Sequence, residues 1–339
     1  MTGRALVTGG GGFLGFAIVK KLVAAGLEVT SLQRGDYPRL TKLGVASVRA
    51  ELSDRAAVRA ACRGMDVVFH VAAKAGVWGP AREYERTNVE GTLAVIGGCR
   101  AEGVPRLVYT STPSVVHGGD NVSGVDESAP YATKFLAHYP RTKALAERSV
   151  LAANDPTLST VALRPHLIWG PGDNQLVPRI VARHQAGKLK LVGSGDNLVD
   201  SIYVDNAADA HLLAAERLSP GAACAGKPYF ITQGEPMKVR DLLNGILSAA
   251  GLGPVTQSVP PALAFAVGAL LEGAFWLSGA KTEPIMTRFV ARQLSTSHFY
   301  DLTASSRDLR FEPRLTVAQG LVELKAWFDA GAPSPDASP

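Results

Sequence analysis

The sequence predicts an α/β protein built on a doubly wound parallel sheet, with a smaller, partly interleaved C-terminal lobe. Short apolar runs alternate with helical stretches that hold most of the charge, the pattern of strands buried under helices. A glycine-rich turn, Gly9-Gly10-Gly11-Gly12-Phe13-Leu14-Gly15, joins the first run to the first helical stretch. With 339 residues, 46% hydrophobic and 19% charged, the chain is long and apolar enough to bury a large core, which excludes fibrous and disordered classes.

Ala5-Leu6-Val7 reads as a buried first strand, and Phe13 to Ala25 shows helical apolar spacing closed by Gly26. The glycines therefore sit at a strand-to-helix turn. There Gly9 permits the tight turn, Gly12 lets backbone approach a pyrophosphate and Gly15 allows close helix–strand packing. The phosphates would rest on the helix N-terminus at Phe13 and Leu14, the Rossmann arrangement. The second strand, Val29–Leu32, ends at Gln33 and Arg34, roughly 20 residues beyond the glycines, where the adenosine ribose is contacted. A carboxylate there would accept the ribose hydroxyls of NAD and repel a 2′-phosphate. An uncharged Gln33 beside the Arg34 guanidinium suits that phosphate, so NADP(H) is predicted. The competing reading leaves Arg34 solvated and gives the ribose to Asp36.

The sheet continues with strands expected at Val45–Val48, Val67–Val71, Arg106–Thr110 and Thr160–Leu167. Beyond Trp169 the pattern loosens into Pro- and Gly-punctuated segments, with strands expected at Lys190–Val192, Ser201–Val204 and Tyr229–Thr232. This divides the chain into a cofactor domain at 1–170 with a return segment at about 200–232, a substrate lobe at 171–329, and a disordered tail at 330–339 rich in Pro, Ser and Ala.

Thr110-Ser111-Thr112 follows the strand ending at Tyr109, so its hydroxyls emerge at the carboxyl edge where the reacting ring of the cofactor belongs. Thr112, with Ser111 second, is the candidate to hold a substrate carbonyl. Tyr139 and Lys143 are four apart, on one face of a helix whose first turn suits Pro140. A tyrosine with its ordinary pKa near 10 is a poor proton shuttle, and a neighbouring ammonium favours its phenolate. A shift of roughly three units corresponds to about 4 kcal/mol.

The net charge of +5 is scattered over 35 basic and 30 acidic residues without a dense basic block, so nucleic acid is not an expected partner. The seven histidines and three cysteines show no metal-ligand spacing, and no metal is predicted. Cys62, Cys99 and Cys224 are widely spaced and odd in number, and no secretory apolar segment precedes the first strand, so a reduced cytoplasm is expected.

Gly9-x-x-Gly12-x-x-Gly15, His70-Val71-Ala72-Ala73, Asn88-Val89-Glu90-Gly91-Thr92, Tyr109-Thr110-Ser111-Thr112, Tyr139-x-x-x-Lys143 and Arg164-Pro165 before Trp169-Gly170-Pro171-Gly172 together resemble the extended short-chain dehydrogenases/reductases. Arg164-Pro165-His166, Pro171-x-Asp173-x-Gln175-Leu176-Val177-Pro178 and Gly195-Asp196-Asn197-Leu198-Val199-Asp200 make the chain most similar to the 3β-hydroxysteroid dehydrogenase group. Two enzyme classes of that group fit, the sterol-4α-carboxylate 3-dehydrogenases and the NADPH-using 2-alkyl-3-oxoalkanoate reductases of bacterial long-chain olefin biosynthesis. The resemblance is greater to the reductases.

By that resemblance Tyr139 is the proton donor, Lys143 holds the nicotinamide ribose and tunes Tyr139, and Thr112 or Ser111 polarises the carbonyl. Asn88, Ala72, Ala73 and Pro165 line the cofactor cleft, and Glu51 and Leu52 stand at the adenine contact, with Glu51 where an Asp is common. The resemblance also implies a homodimer, and, for the olefin class, work beside a thiolase-like condensing enzyme and a β-lactone synthetase. A non-catalytic cofactor-binding sensor on the same sheet would be marked by loss of the Tyr or Lys, and both are present.

A cation should meet the substrate carboxylate, with Lys74 and Arg179 as candidates. Trp78, His117 and Trp169 are candidate pocket walls, with Trp169 replacing a common Tyr. The apolar run 261–280 is nearly long enough to span a bilayer, but Glu272 at its middle argues against spanning. It reads as an amphipathic or mostly buried element, a lid admitting alkyl chains, with interfacial membrane contact as the alternative.

Overall fold

The computed structural model describes residues 3–280 and 282–332. Strands β1 (Arg4–Thr8), β2 (Glu28–Gln33), β3 (Ala46–Arg49), β4 (Val67–His70), β5 (Arg106–Thr110), β6 (Ser159–Pro165) and β7 (Lys227–Ile231) form one sheet in the order β7-β6-β5-β4-β1-β2-β3. Every pairing in it is parallel. The order reverses between β1 and β4, which opens a crevice at their carboxyl ends, Thr8 and His70. The doubly wound sheet read from the sequence is the fold.

Helices cover both faces. On one, α1 (Phe13–Ala24) buries Leu14, Ile18 and Leu22, spaced by four, against Ala207, Ala210 and Ala214 of α5 (Val204–Arg217). Each such side chain taken out of water contributes about 1.5–3 kcal/mol. On the other, α2 (Gly91–Glu102) and α3 (His138–Ala152) bury Val95, Cys99, Ala146 and Val150 over Val68, Leu107 and Tyr109. The three cysteines are free and buried.

A second core gathers Trp169, Tyr203, Ile246, Leu247 and Leu324. Its helices include α4 (Leu176–Gln185), and two further helices, α6 (Pro261–Ser278) and α7 (Arg288–Ser295), pack on each other beside it. A small sheet runs Met237–Lys238, Leu198–Val199, His298–Tyr300, Val122–Val125. The interleaving is thus deeper than the sequence division into 1–170 and 171–329. Val122–Val125 leaves the first stretch to pair with His298–Tyr300, while Leu309 and Phe311 return from the second to the core under α1. β7 and α5 lie in the expected return segment.

Two boundaries differ for local reasons. The strand expected to run through Leu167 stops at Pro165, because Leu167 adopts φ 42°, a left-handed turn that redirects the chain into the short strand Ile168–Trp169. The strand expected over Ser201–Val204 shortens to Ile202–Tyr203, because Val204 begins α5. Of the expected tail, 333–339 lies outside the described residues.

One buried ion pair joins α3 to the sheet. Arg164 on β6 donates from Nε (3.0 Å) and Nη2 (2.6 Å) to the two carboxylate oxygens of Glu147, and Tyr131 donates a third hydrogen bond to Glu147 at 2.7 Å. Both charged side chains are almost entirely shielded from water. Removing one partner leaves the other charge buried, so Glu147→Ala should lower the free energy of unfolding by about 3–5 kcal/mol in urea titrations. Lys325→Ala, which cuts an exposed i,i+4 pair with Asp329, should cost less than about 1 kcal/mol. Similar small losses for both would refute the anchoring role.

Candidate active site

The crevice at the switch point opens into one cleft of about 980 Å³. Its inner half is the glycine turn. Gly9 has φ +73°, and its N–H donates to the Leu32 carbonyl at 2.8 Å. A Cβ on Gly15 would run into the Gly9 carbonyl, so only glycine lets α1 start this close to β1. No side chain caps the N-terminus of α1 and its first turn holds no acid, which leaves the N–H groups at Phe13 and Leu14 for an anion. Gly9, Gly12, Phe13, Leu14 and Gly15 all line the cleft, and the cradle fits a pyrophosphate.

At the adenosine end Gln33, Arg34, Tyr37, Glu51 and Leu52 line the cleft, and Asp36 is not among the lining residues. The Gln33 carboxamide is engaged by Ser31 and, at 3.3 Å, by Ser47, and Arg34 extends into solvent. Glu51 pairs with Arg86. Arg39, missed in the sequence, donates to the Gly11 carbonyl and stacks 4.4 Å from the centre of the Phe16 ring. That sets a guanidinium against the glycine turn.

Ala72 and Ala73 line the cleft, held by a chain of buried hydroxyls and imidazole. Thr8 Oγ1 accepts from the N–H groups of Val71 and Ala72 (3.2 Å each), so its own proton goes to His70 Nδ1 at 2.8 Å. His70 Nε2–H then donates to Thr92 Oγ1 (2.9 Å), and Thr92 donates to the Asn88 carbonyl (2.6 Å). Burial pushes His70 down to about 3, with Lys143 adding to the shift, so the ring is neutral as this chain requires.

Asn88 does not line the cleft, although the sequence placed it there. It lies in a π-helical turn, Glu85–Glu90, and its carboxamide accepts from Lys74 N (2.7 Å) and donates to Lys74 O (3.1 Å) and Thr142 Oγ1 (3.0 Å). It therefore ties the loop after β4 to α3, and acts on the cleft through both.

The four candidate acid/base residues come from the ends of two elements. β5 delivers Ser111 and Thr112, and α3 delivers Tyr139 and Lys143 one turn apart, all four lining the cleft beside Pro165. Thr112 Oγ1 accepts from Ser114 N (3.2 Å), and its hydroxyl faces the Tyr139 phenol and favours the phenolate. Ser111 Oγ is buried with no partner, a polar group held toward the cleft with its bond unmade. Lys143 Nζ donates to the Thr110 carbonyl at 2.6 Å and sits 4.1 Å from the centre of the Tyr109 ring.

The structure corrects one expectation here. Lys143 does not draw the phenol down: burial pushes Tyr139 up to about 12 against the opposing hydrogen bond from Thr112. Burial likewise pushes Lys143 down to about 7, partly offset by Glu147. Tyr139 is thus a protonated donor at neutral pH, the state in which it can give a proton to a carbonyl oxygen.

The sequence profile of the 3-beta hydroxysteroid dehydrogenase/isomerase family matches residues 6–260. The chain belongs to that family. Two bacterial proteins, each named 2-alkyl-3-oxoalkanoate reductase, are similar over nearly the whole length. The one from Shewanella oneidensis is 52% identical over 331 residues, 95% of this chain and 86% of that protein. The one from Stenotrophomonas maltophilia is 50% identical over 325 residues, 95% of this chain and 98% of that protein. Among solved structures, MoeE5 in complex with UDP-glucose and NAD superposes with a TM-score of 0.75 at 25% identity, covering 97% of this chain and all of that one.

In this member of the family the outer cleft has apolar walls from Leu167, Ile168, Leu176, Ile180, Leu243, Phe289 and Leu294, with Arg179, Arg183 and Lys190 among them. His166, missed in the sequence, also lines it. His298 Nε2–H donates to the Gln293 carbonyl (2.8 Å), so His298 Nδ1 accepts from His166 Nε2–H (2.7 Å) and His166 keeps Nδ1 as an acceptor.

The three aromatic walls are misplaced. Trp169 is wholly buried in the second core, its indole donating to Ser201 Oγ at 3.1 Å. His117 is buried against Gln293 and Thr296, and Trp78 donates to the Ala280 carbonyl (3.0 Å) and packs edge-on to Phe275. None of the three lines the cleft. Lys74 and Arg179 do line it, but each holds an acid at hand, Glu83 at 2.7 Å and Glu283 at 2.9 Å. No group of three or more His, Cys, Asp or Glu among the described residues is placed to hold a metal.

With Tyr139 as the acid/base, the base for oxidation is its phenolate, whose population rises tenfold per pH unit below its pKa. Oxidative kcat/KM should therefore climb by about that factor through the alkaline range, while reduction stays insensitive to this group. Tyr139→Phe should remove the slope and lower kcat by about 10²–10⁴. A variant with the wild-type rate and slope would exclude Tyr139 as the acid/base.

Proposed function

We propose that the chain is an NADPH-dependent reductase of 2-alkyl-3-oxoalkanoic acids that yields the 3-hydroxy acids. The observation that carries the reading is the convergence of Ser111, Thr112, Tyr139 and Lys143 in an otherwise apolar cleft dotted with cations. The apolar walls suit alkyl chains, and Arg179, Arg183 or Lys190 suit a carboxylate. The two relatives at 50% and 52% identity bear the name of this activity.

The cofactor is a nicotinamide dinucleotide, which supplies the hydride when bound. Gly9, Gly12 and the first turn of α1 would hold its phosphates. Arg34 would meet the 2′-phosphate, and the absence of an acid at position 33 supports NADP over NAD. Lys143, one turn along α3 from Tyr139 and lining the same cleft, would hold a ribose hydroxyl. Thr112 and Ser111 orient the C3 carbonyl, and Tyr139 transfers its proton to that oxygen as the C3–H bond forms.

A homodimer fits the exposed Leu93 on α2 and Leu145 on α3, two neighbouring helices. By the same reading the enzyme works in the cytoplasm or at its membrane surface, beside a thiolase-like condensing enzyme and a β-lactone synthetase.

The test is turnover of a 2-alkyl-3-hydroxyalkanoic acid with NADP⁺ and NAD⁺ in parallel, because the 3-oxo acid loses carbon dioxide readily. NADP⁺ should be favoured, and Arg34→Glu should cut that preference tenfold or more, the value of a charge-assisted bond worth about 1.5–3 kcal/mol. Turnover of a sterol 4α-carboxylate with NAD⁺ in place of the alkyl acid would overturn the substrate and the cofactor together.

A further inference from the structure

Helix α6 has no polar outer face. Only Ala264 and Gly268 of its 18 residues are buried, so the expectation of a mostly buried lid fails. Leu263, Val267, Leu270, Trp276 and Leu277 are exposed, the last two at 78% and 80%. The single charge, Glu272, is turned inward, accepting from Arg288 N (2.7 Å) and Nε (2.6 Å) on α7. Gly268 lies against the backbone of Thr287 and Arg288, so α6 is fastened lengthwise to the protein and does not stand away to span a bilayer.

The surroundings are basic. Residues 174–195 hold Arg179, Arg183, Lys188 and Lys190 and no acid. Lys188 and Lys190 lead into Leu191–Val192, which pairs with Ser258–Val259 just before α6. Arg183 donates to the carbonyl of Ile285, itself 67% exposed, and exposed Arg292 stacks 5.0 Å from the centre of the Phe265 ring. The acids nearby, Glu272 and Glu283, are held by Arg288 and Arg179.

We propose that α6 lies flat on an anionic bilayer, its apolar face in the headgroup–acyl boundary and the basic rim against the lipid phosphates. A second copy of the chain fits less well, because a two-fold axis through α6 would set one basic rim against another. The docking stands on the helix and its rim alone. A consequence rests on the reductase reading: α7, directly beneath α6, lines the cleft with Phe289, Val290, Gln293 and Leu294, so the cleft is one helix layer from the lipid. Sparingly soluble alkyl substrates then pass between bilayer and cleft along this hairpin.

Flotation of the full chain with vesicles tests the docking. Wild type should float with phosphatidylcholine/phosphatidylglycerol vesicles, much less with phosphatidylcholine alone, and should be released as salt rises. Brominated lipids should quench tryptophan fluorescence through Trp276. Leu270→Glu/Leu277→Glu should weaken flotation at least tenfold while keeping the unfolding midpoint and vesicle-free turnover of a short-chain 2-alkyl-3-hydroxy acid.

Equal binding to both vesicle types, no binding to either, or a double variant that floats like wild type would overturn the proposal. So would a double variant whose only change, by light scattering, is dissociation of an oligomer. If wild type floats but turns over no 2-alkyl-3-hydroxy acid in buffer, the docking stands and the reductase reading and substrate route fail.

Discussion

The site depends on the ion pair between Glu147 and Arg164. It fixes α3, which carries Tyr139 and Lys143, against β6, which ends in Pro165 and His166 at the cleft. Glu147 lies one turn beyond Lys143 on the same face, so one carboxylate both locks the helix and tempers the cost of burying the ammonium. A pair of this kind contributes little net stability over an apolar replacement, and what it supplies is a single register between helix and strand. A slip of α3 would move the phenol away from Thr112 and the proton donor would lose its orienting partner.

A second, wholly neutral network does the same for the other wall. The chain from Thr8 through His70 and Thr92 to Asn88 has one consistent direction of donation, which requires His70 to stay uncharged. Burial secures that. Asn88 then holds Lys74 and Thr142 together, so the loop after β4 and the N-terminal half of α3 are positioned by one carboxamide.

Much of this was legible in the sequence. The strands of the main sheet, the glycine turn and the Tyr139/Lys143 pair show through because each rests on local spacing, with a period of two or of four or a glycine demanded by φ +73°. The failures share a cause. Trp169, Trp78 and His117 are amphipathic side chains whose destination is decided by which distant surface they meet, Ser201, Ala280 and Gln293 respectively. The direction of the Tyr139 shift was also invisible, because spacing placed Lys143 near the phenol without revealing how deeply the folded chain buries it. The exposed face of α6 escaped for the opposite reason: an all-apolar run has no periodicity to say which side is buried, and only its packing on α7 decides it.

These constraints bear on the direction of the chemistry. A phenol pushed up to about 12 keeps its proton at neutral pH, so in the free protein Tyr139 is present as the acid and scarcely at all as the base. Oxidation needs the phenolate, and the group nearest to supplying positive charge, Lys143, is itself brought down to about 7 by the same burial. Below that value the ammonium is present to steady a developing phenolate; above it the phenolate forms more readily from the pH but with less help from the lysine. The burial that orders Tyr139, Thr112 and Lys143 against one another is thus also what sets their protonation. Opening the cleft to water to ease oxidation would loosen the arrangement that aims the proton.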